Sequence, residues 1–516
     1  MKNIIYLTVL AIFSLFVNQH FADRGAFPID SFTNFDSASS IVLGSHPFKD
    51  YWAITGPFLD YVQAFLFLIL GINWTSYVLH ASIINAALTI FSFYFFLQIG
   101  LKNYYAFIYS LGVGILAYTS IGSPFVDHHS VIFCIMAFYS ISIAILSGKI
   151  FFWFIVPIFI SFSFFSKQIP SPYFVVLFTI IFIICTYYIK NIDKKVLLSL
   201  FGGILFSMIL IFSVFIINEI PLKNFIVQYI LYPFSLGENR IEKLNINFNN
   251  LINQFKFIYI ILVPLIISLF FLLKIKEKNL NEKKDQIISM LFLAIIGTLI
   301  YCQLLTKNQV LIFFLIPISA ALSHSYIQKY FNKASLIYFI LIIFIFSTAK
   351  YHLRFNQDRK FMELVNANFE LAEDSSILDK RLSGLKWITP AYLNEPLKEI
   401  NLLIDAKKII SEKTEEKIII TDYLFFPSLF KNTYIANKWY DALSVPEKDN
   451  KYYDVHKDFF LQKIIKNKIK YLFFVGKDKG ASDMYFFKEF ANVNKCVISS
   501  ELNELLLEFD IRKCKF

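Results

Sequence analysis

The sequence predicts a mainly α-helical, polytopic membrane protein of about eleven transmembrane helices that ends in a soluble α/β domain. Of its 516 residues 57% are hydrophobic, and the mean hydropathy is +0.57. Soluble domains contain about 45–50% apolar residues, so a bilayer is the expected solvent. Long apolar stretches fill residues 1–350, whereas charged residues are frequent in residues 351–516. We therefore expect a transmembrane domain over 1–350 and an extracytoplasmic domain over 351–516.

The sequence contains twelve long apolar stretches, one more than the number of predicted spans. A span needs about 20 mostly apolar residues. Twelve candidates lie approximately at 3–20, 56–71, 75–98, 104–120, 129–147, 151–166, 171–189, 196–217, 257–273, 286–305, 309–325 and 334–349. The first follows Lys2 and lacks a small-residue cleavage site at its end, which favours an uncleaved span over a signal peptide.

Basic residues in the connections predict which loops are cytoplasmic, because Lys and Arg collect on that side of a membrane. The two strongest clusters lie at 190–195 and 274–284. Counting spans backwards from them places Lys102 inside, the loop 21–74 outside and the N-terminus inside. One span then fits between Thr55 and Lys102, although two candidates lie there.

The stretch from Gly56 to Gly71 is the one that we expect not to cross. As a helix its roughly 16 residues reach about 24 Å, short of a hydrocarbon core of about 30 Å. Asp60 within it would cost about 2.5–3.5 kcal/mol at the bilayer centre. The sequence therefore predicts an interfacial or re-entrant helix on the outer face. The alternative is an ordinary second span with Lys102 outside.

Residues 351–516 alternate short apolar runs with helical patterns. The runs Lys417–Thr421 and Ile469–Val475 predict strands, and Ile400–Glu412 and Phe459–Lys466 predict helices. This alternation predicts a small α/β domain. Two cysteines of the region, Cys496 and Cys514, would form a disulfide in an oxidising compartment.

Charge and cysteine content argue against two classes of function. The net charge is +11, but the positive residues cluster in loops between apolar stretches, as the positive-inside rule requires. No basic stripe of the kind that binds nucleic acid is present, so no nucleic-acid partner is expected. The five cysteines have no CxxC or Cys/His ligand spacing, so the sequence carries no metal signature.

The first outer loop contains an ordered set of residues around several carboxylates. It reads from Asp30 through Ala38, Ile41 and Gly44 to the segment Pro47-Phe48-Lys49-Asp50. This order resembles the first loop of the GT-C superfamily of membrane glycosyltransferases, which includes protein mannosyltransferases and aminoarabinose transferases. The family's Asp-Glu-Gly is Asp30-Ser31-Phe32 here, so a metal role of that Glu is not carried over.

Two further segments resemble parts of the same family. Asp127 opens a span after the next outer loop, as the family's second acidic motif does, and Lys167 ends a span like the family's Thr-Lys motif. Arg240 in the third outer loop is a comparable cation. His128 and His129 follow Asp127, but adjacent histidines rarely bind one metal without a third ligand, so substrate hydrogen bonding is the expected role. A lysine at a span end also commonly extends to the interface without a further role.

The resemblance implies an inverting hexosyl- or pentosyltransferase of the bacterial inner (plasma) membrane. Such enzymes move a sugar from a polyprenyl-phosphate donor to an acceptor hydroxyl on a glycolipid, polysaccharide or protein. Asp30 and Asp127 are the expected catalytic residues. The expected substrate-binding residues are Asp50, His128, His129, Lys167 and Arg240. The family requires no cofactor and allows a divalent metal; membrane lipids are the other partners.

Two alternatives remain open at this level. A polysaccharide polymerase or ligase would also transfer glycosyl groups, from a different donor. A secondary transporter would also have many spans, but transporters often show internal repeats and midplane charges. The sequence has no such repeat, and its acidic residues lie in loops.

Overall fold

A computed structural model describes residues 2–189, 192–242, 244, 246–306, 312–441 and 443–516, without the side chains of 2, 238–240 and 242. The helices of the first 351 residues are α1 Lys2–Ala22, α2 Pro28–Ser31, α3 Phe35–Val42, α4 Pro57–Leu70, α5 Trp74–Gln98, α6 Asn103–Leu116, α7 Val126–Ser147, α8 Ile150–Ser166, α9 Ser171–Ile184, α10 Lys194–Ile217, α11 Leu222–Phe225, α12 Tyr232–Glu242, α13 Lys256–Lys274, α14 Leu280–Leu305, α15 Leu315–Tyr330 and α16 Ala334–Tyr351.

The helical part of the protein has the character of a polytopic membrane protein, as predicted. In the described ranges eight helices are long and apolar enough to cross a bilayer: α1, α5, α7, α9 with its π-helical extension to Ile189, α10, α13, α14 and α16. Helix α8 is a shorter apolar helix of 17 residues. The expected count of about eleven spans stays a prediction. The predicted stretch 309–325 begins in residues that the structure does not describe.

Helix α4 does not cross. The indole Nε1 of Trp74, at the start of α5, donates to Oδ1 of Asp23, just after α1, at 2.7 Å. The end of α1 and the start of α5 therefore lie at one end of the bundle, and α4 between them returns to that end. Its 14 residues fit the predicted interfacial or re-entrant helix.

The loops separate into two groups, one at each end of the bundle. The end that holds the 23–73 loop also holds the connections after α6 and α8 and the C-terminal region. The opposite end holds the predicted cytoplasmic lysines: the Lys329 ammonium pairs with Asp285, and that of Lys284 donates to the Leu146 carbonyl. The grouping agrees with the charge-based topology.

The C-terminal region is built on a five-stranded mixed sheet. Its elements are β1 Glu373–Asp374, β2 Lys386–Trp387, α17 Pro396–Glu412, β3 Lys417–Thr421, β4 Thr433–Tyr434, α18 Tyr453–Lys466, β5 Tyr471–Val475, α19 Tyr485–Val493, β6 Ile498–Asn503 and β7 Leu506–Asp510. The strand order is β4-β3-β5-β7-β6, with β3 parallel to β4 and β5. Strands β3 and β5 are wholly buried, as continuous apolar strands between two layers are.

Each face of this sheet has its own apolar core. Phe460 of α18 packs with Ile418 and Phe474 on one face. On the other face Ile419 packs with α17, and this core continues into Phe32 and Trp74 of the membrane part. Cys496 and Cys514 form a disulfide. The boundary between residues 350 and 351 as a division of folding units stays a prediction.

Candidate functional site

Asp30 lies in a single helical turn. Contacts within the first outer loop and with the C-terminal region hold this turn in place. Pro28 starts α2 with a preset φ, and the Ser31 hydroxyl accepts the Phe27 N–H at 3.0 Å. Just before this turn, the N–H of Gly25 donates to the carbonyl of Lys386 at 3.0 Å. The C-terminal region therefore fixes the backbone that leads to Asp30.

Asp127 and Lys167 form an ion pair next to Asp30. Asp127 is in the first turn of α7, and Lys167 directly follows α8. The lysine Nζ donates to Oδ1 of Asp127 at 2.5 Å, and the Asp127 side chain is 3% exposed. The site thus holds a cation that a buried carboxylate orients.

Asp30 is the carboxylate that remains without a partner. In the described part of the chain its carboxylate oxygens have no hydrogen bond or ion pair, while its backbone carbonyl accepts the Thr33 hydroxyl at 2.6 Å. Burial raises the pKa of Asp30 to about 7, and the negative charges of Asp127, Asp441 and Glu363 add to this effect. The positive charge of Lys167 opposes it. A carboxyl group that ionises near neutral pH is suited to accept a proton.

The C-terminal region adds acidic residues that sequence reasoning missed. Asp441 lies close enough to Asp30 to raise its pKa, and close enough to Asp422 to act on it too. Burial and Asp441 raise the pKa of Asp422 to about 6. Asp422 directly follows β3, at the carboxyl edge of two parallel strands, where ligand sites concentrate in α/β sheets. That signal could have singled out Asp422; nothing in the sequence marks Asp441.

The structure places Asp50 in a different contact. Its Oδ2 accepts the N–H of His46 at 3.0 Å, and its Oδ1 accepts the Lys466 ammonium at 3.3 Å. These bonds close a turn of the first loop and tie it to α18. The structure shows no contact between Asp50 and the Asp30 group, so its assignment to substrate stays a prediction.

His128 and His129 face the interior of the helix bundle. The Nε2 atoms of His129 and His80 are 3.1 Å apart, and Nδ1 of His129 is hydrogen-bonded to the Tyr118 hydroxyl. The His128 ring lies beside Tyr118 and is 1% exposed. Their substrate-binding role is therefore not supported by a contact with Asp30 or Lys167. Arg240 lies in α12, and its side chain is outside the described part of the chain.

The carboxylates do not form a metal site of ordinary composition. Within the described residues, no group of three or more His, Cys, Asp or Glu side chains is arranged to hold a metal ion. Asp127, which would be a ligand beside Asp30, already shares its charge with Lys167. Among the described residues, the Asp30 group therefore shows no preformed site for the divalent metal that the family resemblance allows.

A second ion pair, wholly buried, lies beside this group. The Lys438 ammonium contacts Oδ1 of Asp60 at 2.8 Å, and the Asp60 and Lys438 side chains are 0% and 2% exposed. The charge of Asp60, which argued against a membrane crossing, is thus neutralised by the C-terminal region. Sequence reasoning did not connect two residues so far apart in the chain.

The comparisons with known proteins concern overall structure alone. No family model and no curated protein matches the chain. The fold is similar to an oligosaccharyltransferase of Archaeoglobus fulgidus solved in complex with Zn and sulfate, with 13% identity and a TM-score of 0.46 over 91% of this chain and 67% of that one. It is also similar to the oligosaccharyltransferase AglB from the same organism, in complex with an inhibitory peptide and a dolichol-phosphate. That match has 11% identity and a TM-score of 0.44, over 92% of this chain and 69% of that one.

The fold class expected from the sequence is confirmed: a mainly helical membrane protein with a small C-terminal sheet. At TM-scores below 0.5 and identities of 13% and 11%, these matches assign no function to this chain.

Proposed function

We propose that this protein is a GT-C-type glycosyltransferase that moves a sugar from a polyprenyl-phosphate donor to an acceptor hydroxyl at the outer face of the membrane. One observation carries the proposal: an unpartnered carboxylate, Asp30, has a pKa near 7 and lies beside the Asp127–Lys167 ion pair. The group thus combines a base and an oriented cation, which are the two elements that glycosyl transfer from a phosphate donor needs.

The reaction divides between these residues. The acceptor hydroxyl donates its proton to Asp30 while its oxygen forms a bond to the anomeric carbon of the sugar. The bond from that carbon to the phosphate oxygen breaks, and polyprenyl phosphate leaves as an anion. The Lys167 ammonium stabilises the charge of the leaving phosphate, since charge-assisted hydrogen bonds are about twice as strong as neutral ones. A single displacement of this kind inverts the configuration at the anomeric carbon.

Asp127 acts on Lys167 in this scheme. It holds the ammonium beside Asp30 before the donor arrives, and its charge keeps the proton affinity of Asp30 high. We place the protein in the bacterial inner membrane, with the N-terminus in the cytoplasm and the C-terminal region outside. The acceptor is a glycan, a lipid or a protein, and the transferred sugar is a hexose or a pentose.

The test is the variant Asp30→Asn in purified protein. The assay supplies a panel of short-chain polyprenyl-phosphate hexoses and pentoses with membrane extract as acceptor, and measures released polyprenyl phosphate by mass spectrometry. Asp30→Asn should abolish release because the amide cannot accept the proton. Asp458→Asn, at an exposed position of α18, is the matched control and should release phosphate like the wild type. Wild-type turnover in Asp30→Asn contradicts the proposal.

A further inference from the structure

A lysine of the C-terminal region is buried at the junction of the loops that carry Asp30 and Asp127. Besides Asp60, the Lys438 ammonium donates to Oδ1 of Asn34 at 2.8 Å and to the carbonyl of Thr55 at 3.1 Å. The Ser37 hydroxyl donates to the same Asp60 carboxylate at 2.6 Å. Several partners from the first outer loop therefore converge on one ammonium and its counter-ion.

Asn34 links Lys438 to the loop that precedes Asp127. Its Nδ2 donates to the carbonyl of Pro124 at 3.2 Å, and its backbone N–H donates to the Tyr77 hydroxyl at 3.1 Å. Asn34 follows Asp30 by four residues, and Pro124 precedes Asp127 by three. One amide side chain thus joins the two segments whose carboxylates form the site.

Backbone pairing holds the Lys438 segment in place. The N–H of Trp52 donates to the carbonyl of Ala436, and the N–H of Lys438 donates to the carbonyl of Trp52, both at 2.8 Å. The indole of Trp439 donates to the carbonyl of Thr33 at 3.2 Å. The segment is therefore added to the first outer loop as a short strand would be.

A buried ion pair contributes little net stability, because removing two charges from water costs about as much as their attraction returns. What such a pair supplies is a fixed geometry, since each charge must keep its partners. Two Lys438 partners, Asn34 and Thr55, follow Asp30 in the first outer loop, and Asn34 extends the contact to Pro124. Geometry, more than stability, is what this contact determines.

We propose that Lys438 is a positioning residue, which fixes the Asp30 loop against the Asp127 loop through Asn34. The C-terminal region thereby completes the site. The inference rests on the proposed function, because it concerns the spacing of the base and the oriented cation. Displacing a reacting group by about 1 Å can lower a rate about 100-fold.

Four variants separate this role from simple stabilisation, with the assay described above. Lys438→Met should lower kcat about 100-fold. Asn34→Ala should lower it comparably while leaving the Lys438–Asp60 pair intact, and the double variant should be no worse than either single one, as expected for residues that act as one unit. Lys329→Met removes a lysine that also has a buried aspartate partner, Asp285, but lies at the far end of the bundle, and it should keep the wild-type kcat per folded molecule.

The double variant Asp60→Leu/Lys438→Met distinguishes a positioning role of Lys438 from a purely stabilising one. Replacing both charges removes the unpaired buried carboxylate, so the melting temperature should return towards the wild-type value. The kcat should stay low, and the acid limb of its pH profile should move to lower pH as water enters around Asp30. Recovery of kcat together with melting temperature, or an unchanged pH profile, would overturn the positioning role. Full turnover in Asp30→Asn would instead refute the proposed function.

Discussion

Asp30→Asn should stabilise the folded protein as it abolishes turnover, and the gain should depend on pH. The unfolded chain ionises Asp30 near 3.8, whereas the folded protein ionises it near 7. Between these values the folded state binds the extra proton, so the contribution of Asp30 to stability falls as the pH rises. Above pH 7 the penalty is complete, and below 3.8 it is absent.

The size of the effect follows from the difference between the two pKa values of Asp30. A change from 3.8 to about 7 corresponds to about 4 kcal/mol, at 1.36 kcal/mol for each pKa unit. This is an upper limit, because the carboxylate keeps part of its surface in water. Of that penalty about 1.6 kcal/mol is already present at pH 5. The stability gain of Asp30→Asn should therefore be larger at pH 8 than at pH 5 by about 2–3 kcal/mol.

Thermal unfolding of the detergent-solubilised protein, followed by tryptophan fluorescence at pH 5 and pH 8, measures the gain. Asp379→Asn is a control in which the stability should change in the opposite direction. Although burial opposes it, hydrogen bonds from Arg381 and Lys407 hold the pKa of Asp379 well below its usual range. The stability that Asp379 contributes is present above 3.8 and is lost only at lower pH, so this variant should destabilise at both pH values. An equal gain for Asp30→Asn at pH 5 and pH 8 would refute the reasoning.

Three other outcomes are expected. Asp441→Asn removes a negative charge that raises the pKa of Asp30, so the acid limb of the kcat profile should move to lower pH; an unmoved limb would separate Asp441 from the site. Gly56→Ala should destabilise by about 1–3 kcal/mol in thermal unfolding, since φ is +72° and the new Cβ would lie 2.6 Å from the Lys438 ammonium. An unchanged melting temperature would show that the junction can relax. Single cysteines at the exposed positions Asp458 and Lys102 should be labelled from outside and from inside respectively, and outside labelling at 102 would reverse the assigned topology.

The helices and the non-crossing stretch were largely predictable from the sequence. A membrane-spanning segment must satisfy its backbone internally and match the hydrocarbon thickness, so length and hydropathy alone determine where it lies. The short α4, with Asp60, could be excluded for the same reason. The strands Lys417–Thr421 and Ile469–Val475 were also recognisable, because a strand buried on both faces is a continuous apolar run.

The candidate site was predictable only in part. Asp30, Asp127 and Lys167 stood out because they follow a recognisable order at the ends of spans. Asp50 occurs in the same order, yet the fold turns its carboxylate towards Lys466. Sequence order records which residues lie near a loop, and not which way each side chain points.

By itself, the sequence determined the membrane setting, because hydropathy and charge bias act along short stretches of chain. Its resemblance to a known family singled out three residues of the candidate site. Only the tertiary structure decided how the site is completed. Lys438 lies 378 residues after Asp60, and Asp441 lies 411 residues after Asp30. Such pairs form when separately patterned segments pack together, and a buried charge requires a partner wherever the fold can supply one. Helix α4, which does not cross, carries Asp60, and the C-terminal region carries its partner Lys438.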